Sequence, residues 1–143
     1  MLSEDQGPDR DLARALDAAR ERGRTRAAEV LAGADMLDLD QFAQLIETPP
    51  EEVSAMHKAG RVIGLGGADG RLRFPSCQLN AEGQPFADLS ILHHHVGGPW
   101  AVYRFLVQRH GSLDGATGRQ ALLRGRSVDA ASAAEGISRG DFT

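Results

Sequence analysis

The stretch MLDLDQFAQLIETPPEEVSAMHKAGRVIGLGGADGRLRFP, residues 36–75, decides the fold. Its hydrophobic period changes once, from helical to alternating, and residues with a physical reason to be there mark the boundaries. Asp38 followed by Gln41 has the form of a capping box, in which each side chain satisfies a backbone amide of the other residue. Phe42, Leu45 and Ile46 follow at helical spacing. A second box is expected from Thr48 and Glu51, with Pro49 at the first helical position, where its missing N–H costs nothing. The helix it opens carries Val53, Ala55 and Met56 and stops at Gly60, a residue suited to the left-handed cap. Two short helices with so tight a turn predict a helix-turn-helix.

Past Gly60 the pattern is that of strands. RVIGL (61–65) is a short apolar run, GGADG (66–70) a turn, and RLRFP (71–75) alternates. Alternation places Leu72 and Phe74 on one face of a strand and Arg71 and Arg73 on the other. Asp69 and Gly70 supply the positive-φ residues of a hairpin turn, and Gly64, Gly66 and Gly67 give the hairpin its freedom. A helix-turn-helix followed at once by a hairpin is a winged helix-turn-helix.

Outward from this unit the chain reads as helices. Residues 9–32 are rich in Ala, Leu, Arg and Glu, with a patchy apolar stripe at Leu12, Ala15, Leu16, Ala19, Val30 and Leu31 that is weakest at Gly23. One helix is expected there, with Gly23 as its breaking point, docked on the body or on a second chain. Residues 76–86, with NAEG and QP, read as a loop. Residues 87–96 form a short helix with Leu89, Ile91 or Leu92, and Val96 inward, stopped by Gly97-Gly98-Pro99. The next helix holds Trp100 and Tyr103, the chain's one Trp and one Tyr, and is expected at the centre of the C-terminal core. Thr117 with Gln120 forms another capping box, and Ser127 is read as the cap of the last helix. The fold expected is mainly α: a small helical protein with a winged helix-turn-helix (one β-hairpin) followed by a C-terminal helical bundle. Its parts are an N-terminal helix in 1–35, the winged unit in 36–80 and the helical unit in 87–143.

Of 143 residues, 41% are apolar and 25% charged, enough to build a packed core. No apolar run reaches the length of a membrane span, and the start MLSEDQGPDR is not that of a secretory signal, so the cytoplasm is the expected compartment. A net charge of −4 argues against nucleic-acid binding driven by overall charge, so any DNA contact must rest on local geometry. Cys77 stands alone and excludes an internal disulfide. His93, His94 and His95 are consecutive, and on a helix such neighbours fan apart by about 100° each, so no metal site is expected. No nucleophile–base–orienter set is visible, the Gly-rich runs lack a phosphate-loop Lys-Ser/Thr, and neither enzyme activity nor a cofactor is expected.

Residues 36–75 resemble the winged helix-turn-helix of MerR-like and excisionase-type proteins, through the capped second helix ending in Gly60-Arg61, the Gly-rich turn and RLRFP. Residues 100–142 are similar to the C-terminal toxin-binding domain of the MbcA/ParS/Xre antitoxin family. The matching positions are Trp100, Phe105, Leu106, Leu113, Gly115, Thr117, Leu122, Leu123 and Gly125, then Ala134, Ile137, Gly140 and Phe142. Gly118 stands where that family usually has Pro, and Arg119 and Ala121 where larger apolar residues are usual. The resemblance implies a type II antitoxin that covers the active site of a RES-domain, NAD-targeting toxin and represses its own operon, in a homo-oligomer or a toxin–antitoxin hetero-oligomer.

Two residue sets follow. For operator DNA, the second helix offers Ser54, His57 and Lys58, and the strand region Arg61, Arg71 and Arg73. For the toxin, the candidates are Trp100, Arg119, Ile137, Arg139, Gly140, Phe142 and Thr143, the tail serving as a plug that carries Arg139 and the terminal carboxylate into a cleft made for an anionic dinucleotide. The alternatives are a stand-alone DNA-binding regulator or excisionase-like factor whose C-terminal helices only dimerise, and an adaptor without a DNA role.

Overall fold

Asp38 accepts a hydrogen bond from the Gln41 amide at 2.7 Å while the Gln41 side chain accepts from the Asp38 amide at 3.0 Å, so the expected capping box opens the first helix of the central unit. In a computed structural model residues 2–139 are described, with side chains from Pro8 onward. The elements in order are α1 (Leu2–Leu31), β1 (Met36–Leu37), α2 (Leu39–Leu45), α3 (Pro50–Lys58), β2 (Leu65–Gly66), β3 (Leu72–Pro75), a 3-10 turn (Ser76–Gln78), α4 (Leu89–Val96), α5 (Pro99–Val107), a second 3-10 turn (Gly111–Leu113), α6 (Gly118–Leu123) and α7 (Ser127–Ser138). The protein is mainly helical with one small antiparallel sheet. Among the described residues no helix is long and apolar enough to cross a membrane.

The sheet has the order β1-β3-β2. The expected hairpin forms, but its turn is shifted by one residue: Leu65 pairs with Arg73 and Gly66 with Leu72. Of the two expected positive-φ turn residues, Gly70 has it and Asp69 does not. β1 adds a third strand through Met36–Pro75 and Leu37–Phe74. Two residues are too short a strand to show a period, which is why β1 leaves no signal in the sequence. Phe74 is buried and stacks on Phe42 with ring centroids 5.1 Å apart. Leu72 departs from the expected inward face: it lies beside the hairpin turn, past the edge of the core, and is exposed.

Two other expectations are corrected. Thr48 does not cap α3. Pro49 is the N-cap and Pro50 the first helical residue, and the extended backbone that Pro50 imposes on its predecessor leaves Thr48 one residue too early. Its hydroxyl donates instead to the Ile46 carbonyl at 3.2 Å. Ser127 is the first residue of α7 rather than its cap, and its hydroxyl donates to Asp88 at 2.9 Å. The helix that holds Trp100 and Tyr103 lies at the centre of the C-terminal core as expected, through Val102, Phe105 and Leu106, while Trp100 itself is half-buried. The Thr117–Gln120 box forms as expected, and α1 runs unbroken through Gly23.

The core has two clusters. One is built by Phe42, Ala43, Ile46, Val53, Val62, Phe74 and Leu79 of the winged unit. The other joins Leu89 and Leu92 of α4, the core face of α5, Leu113, Ala121 and the alanines of α7, and it includes Ile63. Val62 and Ile63 thus belong to different clusters. Gln78, fully buried, closes the seam. Its Oε1 accepts the Ile63 amide at 2.8 Å and its Nε2 donates to the Ile63 carbonyl at 2.9 Å. The Trp100 indole N–H donates to the Gly66 carbonyl at 3.2 Å, and Arg119 donates to the Leu79 carbonyl at 3.4 Å.

Candidate nucleic-acid interface

The Gly60 cap, with φ +75°, ends α3 and turns the chain back toward the hairpin. This places α3, Arg61 and the wing in succession. Lys58, Arg61 and Arg71 are exposed, and Ser54 and Arg73 are half-buried. The Asp69 carboxylate accepts the Arg71 amide at 3.0 Å, which shapes the turn, and lies 3.8 Å from the Arg73 guanidinium. Glu51 and Glu52 occupy the exposed first turn of α3, where the helix dipole favours them and where they would repel phosphate.

His57 is turned inward. Its ring meets Phe74 edge-on with centroids 6.2 Å apart, and its Nδ1 is shielded from solvent without a hydrogen-bond partner. Burial lowers its pKa, and the nearby His93 acts in the same direction, with a backbone hydrogen bond at Val62 offsetting part of the effect. Unfolded His57 binds a proton near the usual value of about 6.5 and folded His57 only below it, so stability is full above that value and is lost as pH falls through it. The urea midpoint should therefore drop between neutral and mildly acidic pH, and His57→Gln should flatten that dependence.

One basic residue escapes any reading of residues 36–75. The last turns of α1 run beside the wing, with Leu31 against Gly67, where an added Cβ would lie 2.6 Å from the leucine Cδ1. Between them is a mostly apolar groove of about 620 Å³ whose lining includes Arg24, Arg71 and Arg73 together with Asp69. Arg24 is also held at 2.6 Å by Glu21. No local signal could have united Arg24 with Arg71; only the fold brings them together.

Two of the residues expected to meet a toxin lie at the seam. Trp100 and Arg119 make the seam bonds given above, and the Arg119 Nε is shielded and without a partner. Ile137 is exposed, and Arg139 pairs with Glu135 at 2.8 Å. Gly140, Phe142 and Thr143 lie outside the described residues. Gly118, at the family's proline position, has no room for a side chain: a Cβ would stand 2.5 Å from the Phe105 carbonyl oxygen.

His93 faces Gly60, His94 is exposed and His95 half-buried, so the triplet fans around the last turn of α4. Among the described residues no three His, Cys, Asp or Glu side chains come together as metal ligands. Burial, reinforced by the negative charge of Asp35, pushes the Cys77 thiol up to about 12, and burial likewise raises Tyr103. The thiolate is the nucleophile, so Cys77 should alkylate at least about 100-fold more slowly than a free cysteine near pH 8. Unfolding in urea should restore the ordinary rate.

No protein-family model matches this chain, and no curated protein matches it. Its fold is similar to the NMR structure of Rv2175c, with a TM-score of 0.60 and 21% sequence identity over 72% of this chain and 80% of that one. At that identity the likeness speaks for the fold alone.

Proposed function

We propose that this protein is a winged helix-turn-helix DNA-binding regulator. The observation that carries the reading is the meeting of Arg71 and Arg73 on the wing with Arg24 of α1 around one groove, in a chain whose overall charge is negative. Local clustering of cations is what phosphate contact requires when net charge does not supply it. Lys58 and Ser54 on α3 offer groups for the major groove, with Arg61 between helix and wing. So few cations bind weakly one chain at a time, and useful operator affinity requires more than one copy. The test is a fluorescence-anisotropy titration with DNA from upstream of its own gene, repeated at two salt concentrations. Binding that weakens steeply with salt is expected, and absence of binding at low salt would refute the reading.

The second reading is the antitoxin. It draws on the resemblance of residues 100–142 and on the exposed apolar side chains of α6 and α7, namely Leu123, Val128 and Ile137. Co-expression with the product of the adjacent gene, and deletion of residues 137–143, test it. No complex, or neutralisation unchanged by the deletion, counts against the plug.

A further inference from the structure

Every side chain of α1 from Pro8 to Arg26 is exposed, and among the described side chains the helix touches the body only through its last turns. Water alone stabilises such a helix poorly, since most helical stability in proteins comes from packing one face. The unpacked helix nevertheless carries two leucines one turn apart, Leu12 and Leu16, at 60% and 47% exposure. Asp9 precedes Leu12 by three residues and Arg20 follows Leu16 by four, so all four lie along one face. The order acid–Leu–Leu–base is its own complement when reversed. An antiparallel copy sets Leu12 against Leu16 and Asp9 against Arg20, twice over by symmetry. A parallel copy would instead stack Asp9 on Asp9 and Arg20 on Arg20. We infer that α1 is a self-association element that pairs antiparallel with α1 of a second copy of this chain, through Leu12 and Leu16 flanked by Asp9–Arg20 ion pairs.

The two bodies then sit at opposite ends of the helix pair, with their Leu31 residues about 50 Å apart at about 1.5 Å rise per residue. The winged units stay clear of the contact, so the pairing does not depend on what the wing binds. Arg20 gives up little to take a partner, because its present ion pair with Asp17 is exposed on both sides.

Sedimentation equilibrium of the full chain tests the pairing. The wild type should dimerise reversibly, and Leu12→Asp with Leu16→Asp should be monomeric while keeping its thermal unfolding. Asp9→Arg alone and Arg20→Asp alone should each weaken the dimer by roughly tenfold, since two attractions become two repulsions. Combining them in one chain should restore it. A monomeric wild type overturns the proposal. So does a dimer indifferent to the single reversals, which is the result expected for a parallel pair or for contact through the body.

Discussion

Replacing Arg71 and Arg73 together by alanine is expected to lower DNA affinity by about 100-fold at moderate salt and to reduce the salt slope by roughly two, because each arginine that leaves a phosphate stops releasing a counterion. The fold should survive. Arg71 is exposed, and Arg73 contributes a 3.8 Å contact to an Asp69 carboxylate that remains solvated. Arg73 also lies on β3 opposite Leu65, so its backbone bonds are kept by alanine. Anisotropy titrations over a salt series, with circular dichroism as the control for folding, measure both quantities. Loss of affinity without a change in salt slope would mean the arginines act on the shape of the turn rather than on phosphate. Binding that survives the double change removes the wing from the interface. Arg24→Ala should add a smaller loss of the same salt-dependent kind, which separates a groove that contacts DNA from one that merely faces it.

Gln78→Leu is expected to cost about 3 kcal/mol, because it conserves size and orphans two buried backbone groups at once. The Ile63 amide and carbonyl both bond to this one side chain, at 2.8 and 2.9 Å, in a site with no exposure. Each group left bare costs about 1–3 kcal/mol, more than the added methyl groups return. Ile63 belongs to the C-terminal cluster while its neighbour Val62 belongs to the winged one, so the loss falls where the clusters join. Thermal unfolding should drop by roughly 10 °C for a chain of this size. Trp100, bonded across the same seam to Gly66, provides a fluorescent reporter. If its transition precedes that of the helices, Gln78 is a lock between two units; if both move together, the clusters unfold as one. A shift of less than about 2 °C would mean that water replaces the lost bonds.

Much of the candidate site was legible locally. Arg71 and Arg73 follow from alternation around Asp69-Gly70, and Lys58 and Arg61 from the end of a helix at Gly60. His57 was not, because its inward turn depends on Phe74, which reaches it through the fold. Arg24 was hidden for the same reason. The expected cap at Thr48 failed on a local conflict, since Pro49 and Pro50 shift the helix start by one residue. The central place of the helix holding Trp100 was legible from its aromatic and apolar residues, but that Val102, Phe105 and Leu106 take the core face and leave Trp100 the seam was not.

By itself the sequence determined the succession of helices and hairpin, the capping boxes at Asp38 and Thr117 and the glycine stops at Gly60, Gly97 and Gly125. These rest on hydrogen bonds and backbone preferences that span three or four residues, so they are encoded where they act. Tertiary structure alone decided that β1 joins the sheet, that Gln78 ties Ile63 across the seam, and that the end of α1 packs Leu31 beside Gly67 of the wing, which puts Arg24 on the same groove. Those contacts close chain loops many residues long, and their stability comes from burial on surfaces that exist only once both partners have folded.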